Sequence, residues 1–305
     1  MKTAKLKTDS DLKIYLEEKR NIVEKNLLTL LGPPERYPVN LYQSMHYSLF
    51  AGGKRIRPIL AIAAAEAVGN MTKAVIPVAV AVEMIHTYSL IHDDLPSMDN
   101  DDLRRGQPTN HKVFGEATAI LAGDALLTIA FTILSDDSLH DNIPADKKLQ
   151  ISYEIGIGSG PYGMVGGQQL DMESEGTGIN IKAIEEMHKK KTGALIMASV
   201  RGGGIASGAT NSQLLALTNY SEKAGLAFQI ADDILDVEGI VAETGKSTGK
   251  DIHHNKNTYP ALFGLDKSKG IERKLIEKAI AALDEFDDKA DPLRMIAEYI
   301  VKRKS

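Results

Sequence analysis

The chain has 305 residues, 43% hydrophobic and 25% charged, which is an ordinary globular composition. Its net charge of −5 leaves no footprint for nucleic acid, and the absence of cysteine excludes disulfides, thiolate metal sites and thiol nucleophiles. Met1–Asp9 is polar with no apolar h-region, and the apolar run Ile120–Leu134 is shorter than the roughly 20 residues that span a bilayer. A single cytoplasmic domain over residues 1–305, with no linker and no membrane span, is therefore expected.

Alternating strand patterns are nearly absent and helical stripes dominate, so the chain is predicted to be all-α. In chain order the predicted helices are Asp11–Leu31, Leu41–Ala51, Arg57–Val68 and Thr72–Leu95, then Ala117–Ser135, Lys147–Tyr162, Gly163–Ser174 and Ile181–Ser207, and finally Ser212–Val237, Thr258–Leu265, Ser268–Phe286 and Pro292–Val301. Gly156, Gly158, Gly160 and Pro161 are expected to break or kink the Lys147 helix, and Gly202–Gly204 to weaken the end of the Ile181 helix. Polar, Gly- and Pro-rich connections are expected at Gly32–Val39, Asp136–Asp146 and Glu238–Asn257. The last is long and carries Lys246, Lys250, Asp251 and Lys256, as a lid or ligand loop would.

Two acidic clusters lie inside these apolar helices, ~140 residues apart. The first is Asp93-Asp94-Leu95-Pro96-Ser97-Met98-Asp99, the second Asp232-Asp233-Ile234-Leu235-Asp236. Crowded carboxylates repel one another unless a hard cation sits between them. Pro96 should stop the first helix after Asp94, and Gly239 should cap the second after Asp236, so both clusters are expected near helix C-termini, where the dipole disfavours acids. Asp232 and Asp236 share one helix face. Two walls of one Mg²⁺ site account for the pattern better than solvated acidic surfaces do. A calcium loop starting at Asp99 fails, because Arg104 stands where the turn Gly is required and Asn110 where the final Glu is required.

Cations accompany the acids. Gly52-Gly53-Lys54-Arg55-Ile56-Arg57-Pro58 puts a Gly-Gly turn and three cations at a helix N-terminus, a natural anion site without the P-loop pattern. Arg104-Arg105-Gly106 follows the first acidic cluster with guanidinium groups suited to phosphate. His86 lies seven residues before Asp93, on the same helix face. Lys189-Lys190-Lys191-Thr192-Gly193 and Gln168-Gln169-Leu170-Asp171 add two weaker polar clusters. Carboxylates, metal and Arg together are what a diphosphate demands.

These motifs, from Met45 through Gly264, resemble the trans-isoprenyl diphosphate synthases, and among them the bacterial farnesyl diphosphate synthases, whose first motif carries two extra residues, here Pro96 and Ser97. The resemblance implies the isoprenoid synthase fold, a bundle of roughly ten or more helices around a central cavity, usually as a homodimer. It implies a Mg²⁺-dependent condensation of isopentenyl diphosphate with dimethylallyl or geranyl diphosphate to farnesyl diphosphate, with geranylgeranyl diphosphate as the alternative product. Asp93 and Asp99 would hold two Mg²⁺ ions, with Asp94 supporting. Asp232 would hold a third from the opposite side, with Asp236 acting through water and Asp233 belonging to the same motif; Mn²⁺ could substitute. Arg104, Lys191 and Lys246 would bind the allylic diphosphate, and Lys54, Arg57, His86 and Arg105 isopentenyl diphosphate. Thr192 and Gln229 would set oxygens beside the allylic cation, and Lys256 would help to close the site. Bulk at Tyr88 and Ser89 would limit product length, against the plain alternative that Tyr88 is a core aromatic. Lys302-Arg303-Lys304 resembles a family tail that folds over the site.

Two other classes compete. A terpene cyclase would lack the Gly52–Pro58 site and carry a mixed Asn/Ser/Glu second metal motif. A non-catalytic partner subunit would have lost an Asp-rich motif, and here both are intact.

Overall fold

The computed structural model describes residues 8–69, 73–140, 143–174, 181–244 and 258–302, with the backbone alone for 239–244. The helices are α1 (Asp9–Leu31), α2 (Val39–Leu49), α3 (Ile56–Val68), α4 (Val75–Asp93), α5 (Asn110–Phe114), α6 (Glu116–Ser135), α7 (Ala145–Ser159), α8 (Met164–Ser174), α9 (Ile181–His188), α10 (Ala194–Ala206), α11 (Asn211–Thr244), α12 (Tyr259–Phe263), α13 (Leu265–Ala281) and α14 (Asp291–Lys302). A two-residue hairpin, β1 (Leu103–Arg104) against β2 (Gln107–Pro108), is antiparallel and the only sheet among the described residues.

The apolar stripes explain the layering. α4 is buried along nearly its whole length and packs against α3, α6 and α10. Val78, Val80, Val82, Met84 and Ile85 are fully enclosed there, each contributing about 1.5–3 kcal/mol of burial. A second core joins α3, α10, α11, α13 and α14 around Tyr220, Leu217 and Leu293. α4 and α6 are also the two described helices long and apolar enough to cross a membrane. The apolar run at Ile120 lies within α6, a 20-residue helix close to the predicted Ala117–Ser135. α4 is a bundle core helix; α6 buries one face through Ala119, Ala122, Leu126 and Ala130.

Three predicted boundaries need correction. Gly202–Gly204 do not weaken a helix end but lie inside α10, where Gly202 faces α4, Gly203 faces α3 and Gly204 faces α11. A Cβ on Gly203 would run into the Ala61 backbone, and one on Gly202 would sit 2.9 Å from Val78 Cγ1. Gly158 likewise lies within α7, where a Cβ would stand 2.7 Å from Ala198 Cβ of α10; α7 ends only at Ser159, capped by Gly160. The glycines are there for close helix approach, which periodicity does not reveal. Third, α11 continues to Thr244. Gly239 therefore does not cap it, and the dipole argument fails for the second acidic cluster while holding for the first, because α4 ends at Asp93. The connection expected from Glu238 shrinks accordingly, and Lys246, Lys250, Asp251, His253, His254 and Lys256 lie outside the described residues.

Candidate active site

The first acidic motif sits where α4 runs out. Asp94 caps the helix, its N–H reaching the Leu90 carbonyl, and the Asp99 N–H donates to the Asp93 carbonyl at 2.9 Å. The chain then turns through the hairpin, whose two-residue loop, Arg105-Gly106, has positive φ at both positions (54° and 76°). That is the backbone of a tight hairpin turn, and Gly106 adopts it without strain. The turn sends the two arginines to different partners. Arg104 forks onto buried Asp94, Nε donating at 2.7 and 2.8 Å and Nη2 lying 2.5 Å from Oδ1. Arg105 Nη1 donates to the Gly52 carbonyl, crossing to the Gly-Gly turn before α3. Gly53 has φ +131°, and a Cβ there would meet the Arg105 guanidinium at 2.8 Å, so the arginine rests directly on the turn.

Burial pushes the Asp93 carboxyl up to about 6, with Asp99 and Asp94 adding to the rise and Lys191 and Arg104 opposing it. An acid held so far from its ordinary value by desolvation and like charge is one that a divalent cation would relieve. Among the described residues, however, no three acidic or histidine side chains lie close enough to hold a metal ion by themselves. The donor set suits a hard cation, and a diphosphate's own oxygens would have to complete the shell.

Opposite lies a five-residue π-helical segment, Lys189–Gly193, between α9 and α10. Such bulges recur at functional sites because they re-aim side chains. Here Lys191 reaches Asp171 of α8 at 2.5 Å, and Thr192 Oγ1 donates to Gln229 Oε1 on α11 at 2.9 Å. A Cβ on Gly167 would strike the Lys191 backbone, so α8 can approach only with glycine there. Both Gln168 amide atoms are buried without a partner.

The second motif divides by face. Asp232 is partly exposed and Asp236 exposed, whereas Asp233 turns inward. Its Oδ2 accepts from the Tyr259 N–H at 3.1 Å, its Oδ1 stands 3.5 Å from Gln229 Nε2, and burial pushes its carboxyl up to about 7. Asp233 thus fastens α12 to α11. Asp232 lies near enough to Arg57 for its charge to favour the guanidinium's protonated form.

Arg57 Nη1 lies 3.3 Å from His86 Nε2. Burial, reinforced by Arg57, Arg105, Arg104 and Arg55, holds His86 well below its ordinary pKa, so the ring is neutral. Arg57 can only donate, which makes His86 Nε2 the acceptor nitrogen. Lys54 is exposed on the same turn. Ser89 Oγ is occupied by the His86 carbonyl at 2.9 Å. Tyr88 is buried and meets His92 edge-to-face, 5.7 Å between ring centres, and burial, then Asp93, pushes its phenol up to about 12. Lys302 pairs with Asp9 and Glu298, while Arg303 and Lys304 lie outside the described residues.

The structure thus brings the motif acids of α4 and α11, the α3 turn, the hairpin and the π-helical segment around one region. Sequence reasoning passed over two of its members. Arg55 is buried within the very motif that was singled out, and Glu83 pairs with it at 2.7 Å. The signal for Glu83 was a lone acid in the apolar run Val78–Ile85.

Comparison with known proteins places the chain in a family. The profile of the polyprenyl synthetase family matches residues 38–299. The chain is 46% identical to the farnesyl diphosphate synthase of Geobacillus stearothermophilus, over 95% of this chain and 97% of that protein. It is 44% identical to the geranylgeranyl diphosphate synthase of Cyanophora paradoxa, over 98% and 99%. The apo crystal structure of an FPP/GFPP synthase from Zymomonas mobilis superposes with a TM-score of 0.85 at 37% identity, covering 96% of this chain and all of that one.

Proposed function

The chain belongs to the polyprenyl synthetase family, a family of all-helical prenyltransferases, and from that premise we propose that it condenses isopentenyl diphosphate with dimethylallyl and then geranyl diphosphate and stops at farnesyl diphosphate. The observation that carries the reading is a chain of contacts. Arg104 forks onto Asp94, its neighbour Arg105 reaches the Gly52 carbonyl of the α3 turn, and Thr192, next to Lys191, bonds Gln229 on α11 a turn before Asp233, which links the acidic motifs to the cationic segments.

The residues divide the work. Asp93 and Asp99, with Asp232 and Asp236 opposite, would hold Mg²⁺ jointly with the allylic diphosphate. When bound, the metal would neutralise charge that develops on the departing diphosphate. Lys191 and Arg104, joined by Lys246, bind that diphosphate, and Lys256 helps to close the site. Asp94 holds Arg104 in register through its forked contact. Lys54, Arg57, His86 and Arg105 take the diphosphate of isopentenyl diphosphate; the neutral His86 accepts from Arg57 and leaves its other nitrogen to donate. The allylic carbon–oxygen bond ionises, the isopentenyl double bond attacks the cation, and a proton leaves to the released diphosphate. Thr192 and Gln229 set paired oxygens at the cation, and the apolar walls of α4 and α10 keep water from quenching it.

The product assignment rests on Tyr88, five residues and so ~7.5 Å below Asp93 on α4. Its bulk closes the wall that a growing chain would follow. A second reading, the C20 product, is favoured by the relative named geranylgeranyl diphosphate synthase. One assay decides: purified enzyme, Mg²⁺, isopentenyl diphosphate and dimethylallyl or geranyl diphosphate, with products separated by chain length. C15 is expected. Mainly C20 overturns the farnesyl assignment, and hydrocarbon or no product overturns the prenyltransferase reading.

The active form in this proposal is a homodimer in the cytoplasm. The face of α6 opposite the core exposes Ile120 and Leu121, apolar side chains that a second copy would cover.

A further inference from the structure

Four cations, Lys54, Arg57, Arg105 and Arg55, crowd the N-terminus of α3, where the helix dipole adds further positive potential. They should repel one another and splay the turn. Arg55 behaves differently from its neighbours. It is the residue before α3, held in the left-handed region at φ 52°, ψ 36°, and its side chain is turned inward, 3% exposed. Nη1 donates to Glu83 Oε1 at 2.7 Å, Nη2 donates to the Leu49 carbonyl at 2.6 Å, and Nε lies 3.6 Å from Glu24 Oε1. One guanidinium therefore ties α1, the C-terminus of α2 and the centre of α4 to the turn. Glu83, 2% exposed, does more than pair with it, because its charge also acts on Arg57 and Arg105.

Taking Lys54, Arg57, His86 and Arg105 as the isopentenyl diphosphate subsite, as proposed above, the geometry points to Arg55 and Glu83 as its positioning pair. Neither touches the ligand. Arg55, drawn inward, fixes the left-handed turn that leaves Lys54 outward and Arg57 against His86. Glu83 supplies the buried counter-charge that lets the arginines stand together before an anion arrives. The pair acts on one substrate only, because the allylic subsite is built from α4's end, the hairpin's Arg104 and the π-helical segment.

Steady-state kinetics with isopentenyl and geranyl diphosphates varied separately test this in the full chain. Arg55→Met and Glu83→Gln should each raise KM for isopentenyl diphosphate by a factor of about ten or more, leaving the geranyl diphosphate KM within about twofold. The double variant Arg55→Met/Glu83→Met removes both buried charges, and such replacements commonly preserve folding. It should melt near the wild-type temperature and still show the raised isopentenyl KM. A double variant with wild-type KM values, or single variants that depress kcat and both KM values alike, would reduce the pair to a structural ion pair and sink the inference. Arg57→Ala is the control for the underlying assignment. If it raises the isopentenyl KM while Arg55→Met and Glu83→Gln do not, the subsite stands and the positioning pair falls. If Arg57→Ala leaves that KM unchanged, the subsite assignment falls, and the inference with it.

Discussion

At Asp93 three effects meet: desolvation and two like charges raise the carboxyl, and Lys191 and Arg104 offset only part of the rise. Asp93→Ala and Asp232→Ala should each lower turnover by orders of magnitude, since each removes stabilisation needed as diphosphate charge develops. Excess chelator should abolish activity, and near-normal turnover under any of these conditions would refute the two-walled metal site. His188 gives a prediction of another kind. It is 5% exposed, stacks on Tyr259 with ring centres 6.0 Å apart, and burial, with Lys191 adding and Asp171 opposing, pushes its pKa down to about 4. The unfolded imidazole titrates near 6.5. The unfolded chain therefore takes up this proton first as pH falls. Stability is undiminished above about 6.5 and is lost between there and about 4, by up to about 3 kcal/mol. Urea unfolding at pH 7 and pH 5 should show a smaller acid-side loss in His188→Phe than in wild type; equal losses would remove His188 as a source.

At the scale of elements, α4 ends in the first acidic motif and carries the neutral His86 and Tyr88, the residue assigned to product length. Its path was legible because its apolar run ends at a Pro-stopped acidic cluster. The π-helical turn was not legible. Ile181–Ser207 reads as one continuous helix, and only the packing of α8 and α11 on either side shows why the segment bulges at Lys191 and Thr192. Tyr88 sits in the α4–α6 contact, against His92, whose ring presses on Gly123 and lies 3.1 Å from the Ile120 carbonyl. Tyr88→Ala should open this wall and shift products to C20 or longer, read by chromatography of the released prenyl alcohols. An active variant that still stops at C15 returns Tyr88 to the role of core aromatic. The cavity left by truncation should cost about 3–5 kcal/mol of stability, so the assay belongs at low temperature.

At the scale of the molecule, α6 is half core, and its outward face mixes Ile120 and Leu121 with Asp124, Thr128 and Thr132. Ile120 is 43% and Leu121 57% exposed, adjacent apolar side chains that the proposed dimer would cover. Sedimentation equilibrium should give about twice the chain mass of 33.1 kDa, and Leu121→Glu should shift the population toward monomer. A wild-type monomer at micromolar concentration would remove the homodimer. Activity measured on the same samples would report whether assembly matters to the site.

The sequence by itself determined the helical class, the two acidic motifs and the cationic turn. Helical period, proline stops and charge crowding are local properties that a chain carries wherever it folds. It could not show that Asp233 turns away to hold Tyr259, that Gly202 and Gly203 serve close helix contact, or that α11 runs past Gly239 to Thr244. Nor could it pair Arg55 with Glu83, 28 residues distant. Those outcomes depend on what stands opposite each residue. Packing density and buried charge are settled between helices, so only the tertiary structure decided them.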